Sequence, residues 1–188
     1  MELVSEAIAF AVKAHDGMRR KKNDVPYILH PMEAAVIVST MTSDQNLIAA
    51  AALHDVVEDT DIPIEVIHEK FGDRVTELVS AETEDKRADL PPVETWRIRK
   101  EESLALLKNT NDIGVLMVWL GDKLANMRSI YRDFKVEGVA MWQRFNQKNV
   151  DQQAWYYRSI VKYTERLSDT SAWLEYKTLT ELVFGKEE

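Results

Sequence analysis

Six consecutive residues, His54-Asp55-Val-Val-Glu58-Asp59, place one imidazole and three carboxylates at the end of a segment otherwise suited to a protein core. Leu47, Ile48, Ala50, Ala51 and Leu53 lead into them. At 3.6 residues per turn, the four polar side chains share an arc of roughly 140° on one helix. Carboxylates on so apolar a helix are costly unless a cation or a hydrogen-bond network compensates them. A bound metal is the simplest compensation. The bland alternative is a solvated acidic helix end. Acid at a helix C-terminus opposes the macrodipole, however, so the functional reading leads.

The rest of the chain reads as helix. Apolar residues at helical spacing predict a first helix over residues 2–15. A basic loop follows. Pro26 and Pro31 keep the intervening segment out of a helix interior, and Pro31 suits the first turn of a helix running to about Met41. Ser43 is the expected N-cap of a central helix over 44–59. Asp61 is the expected cap of the next, with Pro63 in its first turn, reaching Phe71. Gly72 then separates it from a helix over 74–82. Residues 83–93, ending in Pro91-Pro92, form the best loop candidate. Helix resumes over 94–108, and a second central helix over 112–131 is apolar nearly all round in its first half. From Val136 the chain is again helical, with many aromatics. No stretch alternates as a strand would. The expectation is an all-α fold, one helical bundle over 1–188, with a motif core at about 10–132 and a C-terminal extension at about 136–185.

Composition narrows the function. A chain of 188 residues without cysteine can build a sizeable core, but has no disulfide, thiolate nucleophile or zinc-thiolate site. The longest apolar run, 113–120, is too short to span a membrane. The first six residues lack the basic start of a signal peptide, so the expected compartment is the cytoplasm. A net charge of −8 argues against nucleic-acid binding. Arg19-Arg20-Lys21-Lys22 still offers a local cation cluster for a small phosphorylated substrate.

Two further segments can complete a site around His54 and Asp55. His30 lies between a leucine and a proline in a locally rigid turn; taken alone it reads as a structural histidine. Asp122 emerges from the buried run 115–120, and a salt bridge or a metal would satisfy it. Gly121 beside it removes a side chain and lets another group come close. Two imidazoles and two carboxylates suit Mn²⁺, Fe²⁺, Co²⁺ or Zn²⁺.

The order His30, His54-Asp55, Asp122 resembles the HD-domain metal-dependent phosphohydrolases. Four local motifs narrow this: His15-Asp-Gly-Met-Arg-Arg20-Lys21, Pro26-Tyr-Ile-Leu-His30-Pro31, His54-Asp-Val-Val-Glu-Asp-Thr60 and Gly121-Asp-Lys-Leu-Ala-Asn-Met-Arg128. Together they are similar to the hydrolase domain of RelA/SpoT-type (p)ppGpp enzymes, over at least 10–132. The resemblance implies a single-domain alarmone hydrolase, without the synthetase and regulatory domains of the long enzymes. Such an enzyme removes the 3′-pyrophosphate of (p)ppGpp with Mn²⁺, giving GDP or GTP. It also implies roles: His30, His54, Asp55 and Asp122 hold the metal, and Glu58 and Asp59 orient or activate water. Arg20 and Lys21 pack on the nucleotide, and Asn126 lies near the ribose. On sequence alone, Arg20 and Lys21 also fit a solvated basic loop, and Glu58 and Asp59 a structural acidic turn.

The chain departs from the family pattern at Met18, where glutamine is common, and at Gly121, where alanine is usual. Residues 83–100 and the tail 142–158 match the alarmone enzymes poorly and look more like less characterised bacterial HD proteins. Two alternatives follow: an HD phosphohydrolase for another nucleotide, such as NADPH or a deoxynucleotide, or a silent nucleotide-binding regulator. Trp142, Phe145 and Trp155 read as packing residues; if exposed, tail aromatics would support a homodimer.

Overall fold

The structure is a computed structural model that describes residues 2–20, 24–87 and 89–186. Among them the chain is helical, with no strand. Helix α1 (Leu3–Ala14) leads to a loop closed by an isolated bridge between Arg19 and Pro26. Then come α2 (Leu29–Ser39), α3 (Gln45–Leu53) and the single turn α4 (Val56–Asp59). They are followed by α5 (Ile64–Glu82), α6 (Pro92–Asn109) and the long α7 (Ile113–Glu137). A 3-10 turn (Gly138–Arg144) precedes α8 (Val150–Tyr163), and a second (Glu165–Leu167) precedes α9 (Ser171–Phe184). No helix among the described residues is long and apolar enough to cross a membrane.

The two apolar segments singled out in the sequence are the central helices. Ala49, Ala50, Ala51, Ala52 and Leu53 are inaccessible, as are Leu116, Leu120 and Leu124 on α7. Small side chains on α3 let α1, α2, α5 and α7 all pack against it. Helix α7 in turn packs on α2, α5 and α9. Gly121 lies at the α2–α7 contact: a Cβ there would come 2.6 Å from Val38 Cγ2 and 3.0 Å from the Ala34 carbonyl oxygen. The close approach expected of that glycine is therefore to the backbone of α2.

The expected helix over 44–59 is broken at His54 and Asp55. In an unbroken helix the Ala51 carbonyl would accept the Asp55 N–H. Here His54 Nδ1 lies 2.8 Å from that oxygen, and Asp55 relaxes to ψ −7°. A new turn starts at once, with the Asp59 N–H donating to the Asp55 carbonyl. The cap is Asp44 rather than Ser43, its carboxylate accepting the Asn46 N–H at 2.8 Å. Asp61 caps nothing: Pro63 occupies the N-cap of α5, and Thr60 Oγ1 accepts the Ile62 N–H. Gly72, at φ 78°, kinks α5 where the break was expected. Helix α7 runs past Tyr131 to Glu137 and ends on Gly138, at φ 58°.

Candidate active site

The first turn of α2, the α3–α4 break and the middle of α7 converge on one point. His30 Nε2 lies 2.9 Å from Asp122 Oδ1 and 3.4 Å from Asp55 Oδ2. His54 Nε2 lies 3.1 Å from Asp55 Oδ2 and 3.5 Å from Asp122 Oδ1. The donor atoms of His30, His54 and Asp122 all fall within 4.8 Å of one another, a group that could hold a metal ion. Asp55 approaches the same two nitrogens.

A proton count tests whether a cation fits. His54 Nδ1 is committed to the Ala51 carbonyl, so in the neutral ring Nε2 carries a lone pair. That nitrogen is buried and has no hydrogen bond of acceptable geometry. It faces two carboxylates. Burial opposes the imidazolium, yet Asp55 and Asp122 hold the His54 pKa well above its ordinary value. Burial likewise opposes ionisation of Asp122, but Lys123 and the two histidines keep it well below the usual range. The cluster draws positive charge, and a divalent ion on the two Nε2 atoms and the carboxylates would supply it.

Glu58 and Asp59 stand on α4 beside this cluster. Tyr27 joins the two groups: its hydroxyl lies 2.8 Å from Asp55 Oδ2 and 2.5 Å from Asp59 Oδ2. Its ring stacks on the buried His15 at 5.2 Å. Burial and the two carboxylates push the Tyr27 pKa far above 10, so it stays a donor. Burial, Asp55 and Glu84 raise the Glu58 pKa against the lowering effect of Lys86.

These groups line a cavity of about 170 Å³ together with Arg99, Lys100 and Lys123 and with Glu82 and Glu84. Lys123 bridges Asp122 and Glu82. Glu84 accepts from Arg99 at 3.0 Å, Lys100 at 2.7 Å and Ser103 at 2.9 Å. Asn126 donates to Asp122 Oδ1 at 2.6 Å and accepts from Arg20 at 3.1 Å. Arg20 thus reaches the site, 5.7 Å over the Tyr27 ring. Lys21 lies outside the described residues. Lys100, Lys123 and Asn126 also line an adjoining cavity of about 160 Å³, walled by Trp96, Phe145, Tyr156 and Tyr157. Trp142 is buried and stacked on Phe184, as a packing residue should be. A larger cavity of about 430 Å³ between α8 and α9 holds none of the candidate residues.

Sequence reasoning missed Tyr27, Glu82, Glu84, Lys100 and Lys123. Tyr27 and Lys123 stood inside motifs already noted, and polar residues there were the available signal. Glu82, Glu84 and Lys100 carried none, because residues in a strongly charged stretch read as solvated.

Fold and site together define a helical HD-type protein, and comparison with known proteins agrees. The HD domain family profile matches residues 7–149, and the chain belongs to that family. A Brucella ovis protein named GTP pyrophosphokinase rsh is 37% identical over 131 residues, 68% of this chain and 17% of that protein. A Synechocystis protein named probable guanosine-3′,5′-bis(diphosphate) 3′-pyrophosphohydrolase is 37% identical over 128 residues, again 17% of its length. The chain therefore spans about a sixth of these curated relatives. Among solved structures, a metazoan SpoT ortholog described as hydrolysing ppGpp aligns with TM-score 0.77 and 26% identity, covering 99% of this chain and 98% of that one. A Listeria monocytogenes protein aligns with TM-score 0.73 and 28% identity, covering 84% and 99%.

Proposed function

We propose that this chain hydrolyses the 3′-pyrophosphate of guanosine 3′,5′-bis(diphosphate), releasing pyrophosphate and GDP, or GTP from the pentaphosphate. The observation that carries this is the join through Tyr27 between the imidazole–carboxylate cluster and the acid pair, in one cavity that Arg99, Lys100 and Lys123 also line. The names of the Synechocystis relative and of the metazoan neighbour supply the substrate.

His30, His54, Asp55 and Asp122 would hold a divalent metal, taken as Mn²⁺, which when bound supplies Lewis-acid polarisation of the scissile phosphoryl group. Glu58 and Asp59 orient the attacking water, whose proton passes to the acid pair as its oxygen bonds to phosphorus. The bond from phosphorus to the ribose 3′ oxygen breaks, and that oxygen leaves with the electron pair and is protonated. Arg99, Lys100 and Lys123 face the phosphate charge, and Arg20, with Lys21, packs on the nucleoside beside Asn126.

One feature favours a second reading, an HD phosphohydrolase acting on another nucleotide. The adjoining aromatic chamber is walled partly by Tyr156 and Tyr157, beyond the stretch matching the family profile. Product analysis with Mn²⁺ against ppGpp, pppGpp, NADPH and deoxynucleoside monophosphates decides between them. Pyrophosphate from ppGpp, abolished by EDTA, is the expected result. Orthophosphate from another nucleotide with ppGpp untouched would move the assignment to the second reading.

A further inference from the structure

The loop between α5 and α6 has no role in the reaction just described, yet it reaches the acid pair. Lys86 Nζ donates to the Glu58 carbonyl oxygen at 2.6 Å and to Asp59 Oδ1, and Glu58 Oε1 lies 3.7 Å away. Among the described residues Lys86 is the one cation paired with either acid. The loop is pinned on both sides of it. Glu84 is held by Arg99, Lys100 and Ser103, and Arg87 by Glu102 at 2.6 Å. The ammonium is thus delivered to a fixed place.

This makes the acid pair unequal. Both oxygens of Asp59 are engaged, Oδ1 by Lys86 and Oδ2 by the Tyr27 hydroxyl. Glu58 Oε2 receives a long 3.4 Å bond from the Glu84 N–H, and Oε1 lies beyond hydrogen-bond reach of Lys86. A carboxylate whose lone pairs already accept charge-assisted hydrogen bonds is a poor proton acceptor, because protonation breaks those bonds.

We propose that Lys86 is a positioning residue: with Tyr27 it fixes Asp59 as an anchor, and so aims Glu58, the under-bonded acid, at the attacking water. The proposal rests on the hydrolase reading above. The test compares Lys86→Met, Lys86→Arg and Asp59→Asn with the unaltered chain, using ppGpp and Mn²⁺. Misaiming the base in Lys86→Met lowers kcat between about 10- and 100-fold while KM stays within about twofold. Lys86→Arg recovers most of the loss. A raised KM at unchanged kcat would overturn the proposal, because Lys86 would then be a substrate contact. So would an arginine variant no better than the methionine one.

A second readout needs no turnover. In metal-free protein, trypsin should cut after Arg87 faster in Asp59→Asn than in the unaltered chain, because the anchor of the loop is lost. Equal cleavage rates would overturn the anchoring role. An unaltered chain inert toward ppGpp would sink the hydrolase reading, and the cleavage comparison would still judge the anchor.

Discussion

At one end of the central cavity, Asp55 and Asp122 crowd the Nε2 atoms of His30 and His54, and one of those nitrogens is buried without a hydrogen bond. A basic end meets it at Asp122: Lys100 and Arg99 share Glu84, and Lys123 is divided between Glu82 and Asp122. At the acidic end the carboxylates draw positive charge onto His54 even though Lys123 already pairs with Asp122; the basic end is nearly balanced by its own carboxylates. Buried groups left out of balance cost stability, so they persist where a ligand completes them. The difference teaches where chemistry is concentrated: changes at the acidic end should abolish it, and changes at the basic end should only weaken binding.

The largest effect should follow His54→Ala. Bound metal measured by elemental analysis should disappear, and kcat should fall about 10³-fold or more, the several kcal/mol that Lewis-acid stabilisation is worth. A variant that keeps both metal and rate would erase the distinction between the two ends. Next comes Glu58→Gln, expected to cost about 10²- to 10³-fold in kcat with metal retained. The unaltered chain should also show an acid limb in its pH–rate profile. Burial is the first cause that raises the Glu58 pKa, and a base works only when deprotonated, so activity should fall as the pH decreases through the Glu58 titration. Loss of that limb in Glu58→Gln identifies the group.

Lys100→Met probes the basic end. KM should rise about tenfold with kcat little changed, the signature of lost uniform binding. A collapse of kcat instead would show that both ends act in the chemical step. The smallest effect lies outside the cavity. Asp112 caps α7 through the Gly114 N–H and pairs with Arg74 at 2.6 Å. Asp112→Ala should leave kcat unchanged and cost about 1 kcal/mol in thermal or urea unfolding. The hydrogen bond from Arg74 lowers the Asp112 pKa. Its contribution is therefore full above the ordinary carboxylate pKa and is lost as the pH falls through the lowered value.

What the sequence disclosed follows the same division. The acidic end is spelled out by short ordered motifs, because rigid local geometry and a required donor set constrain neighbouring residues together. Both central helices were visible as apolar runs, and the Gly72 kink as punctuation. The break at His54 was not, since it depends on an imidazole taking a backbone carbonyl from the helix it ends. Asp44 and Ser43 are both able caps, and only the geometry of Asn46 decides between them. Lys100, on the helix that packs against α8, and Glu84 are mostly withdrawn from solvent. That long-range contact leaves no pattern in the charged stretch that carries them.

The missing methyl at Gly121 acts as a gauge. His30 stands in the first turn of α2 and Asp122 on α7, so their separation is the distance between two helices, set where Gly121 meets Ala34 and Val38. One carbon atom added there would wedge the helices apart and lengthen the 2.9 Å contact between imidazole and carboxylate. The spacing of the two side chains is thereby set by a residue that contributes no side chain to the cluster. Exchanging glycine for alanine at this position would therefore shift one member of the cluster against another without altering either side chain.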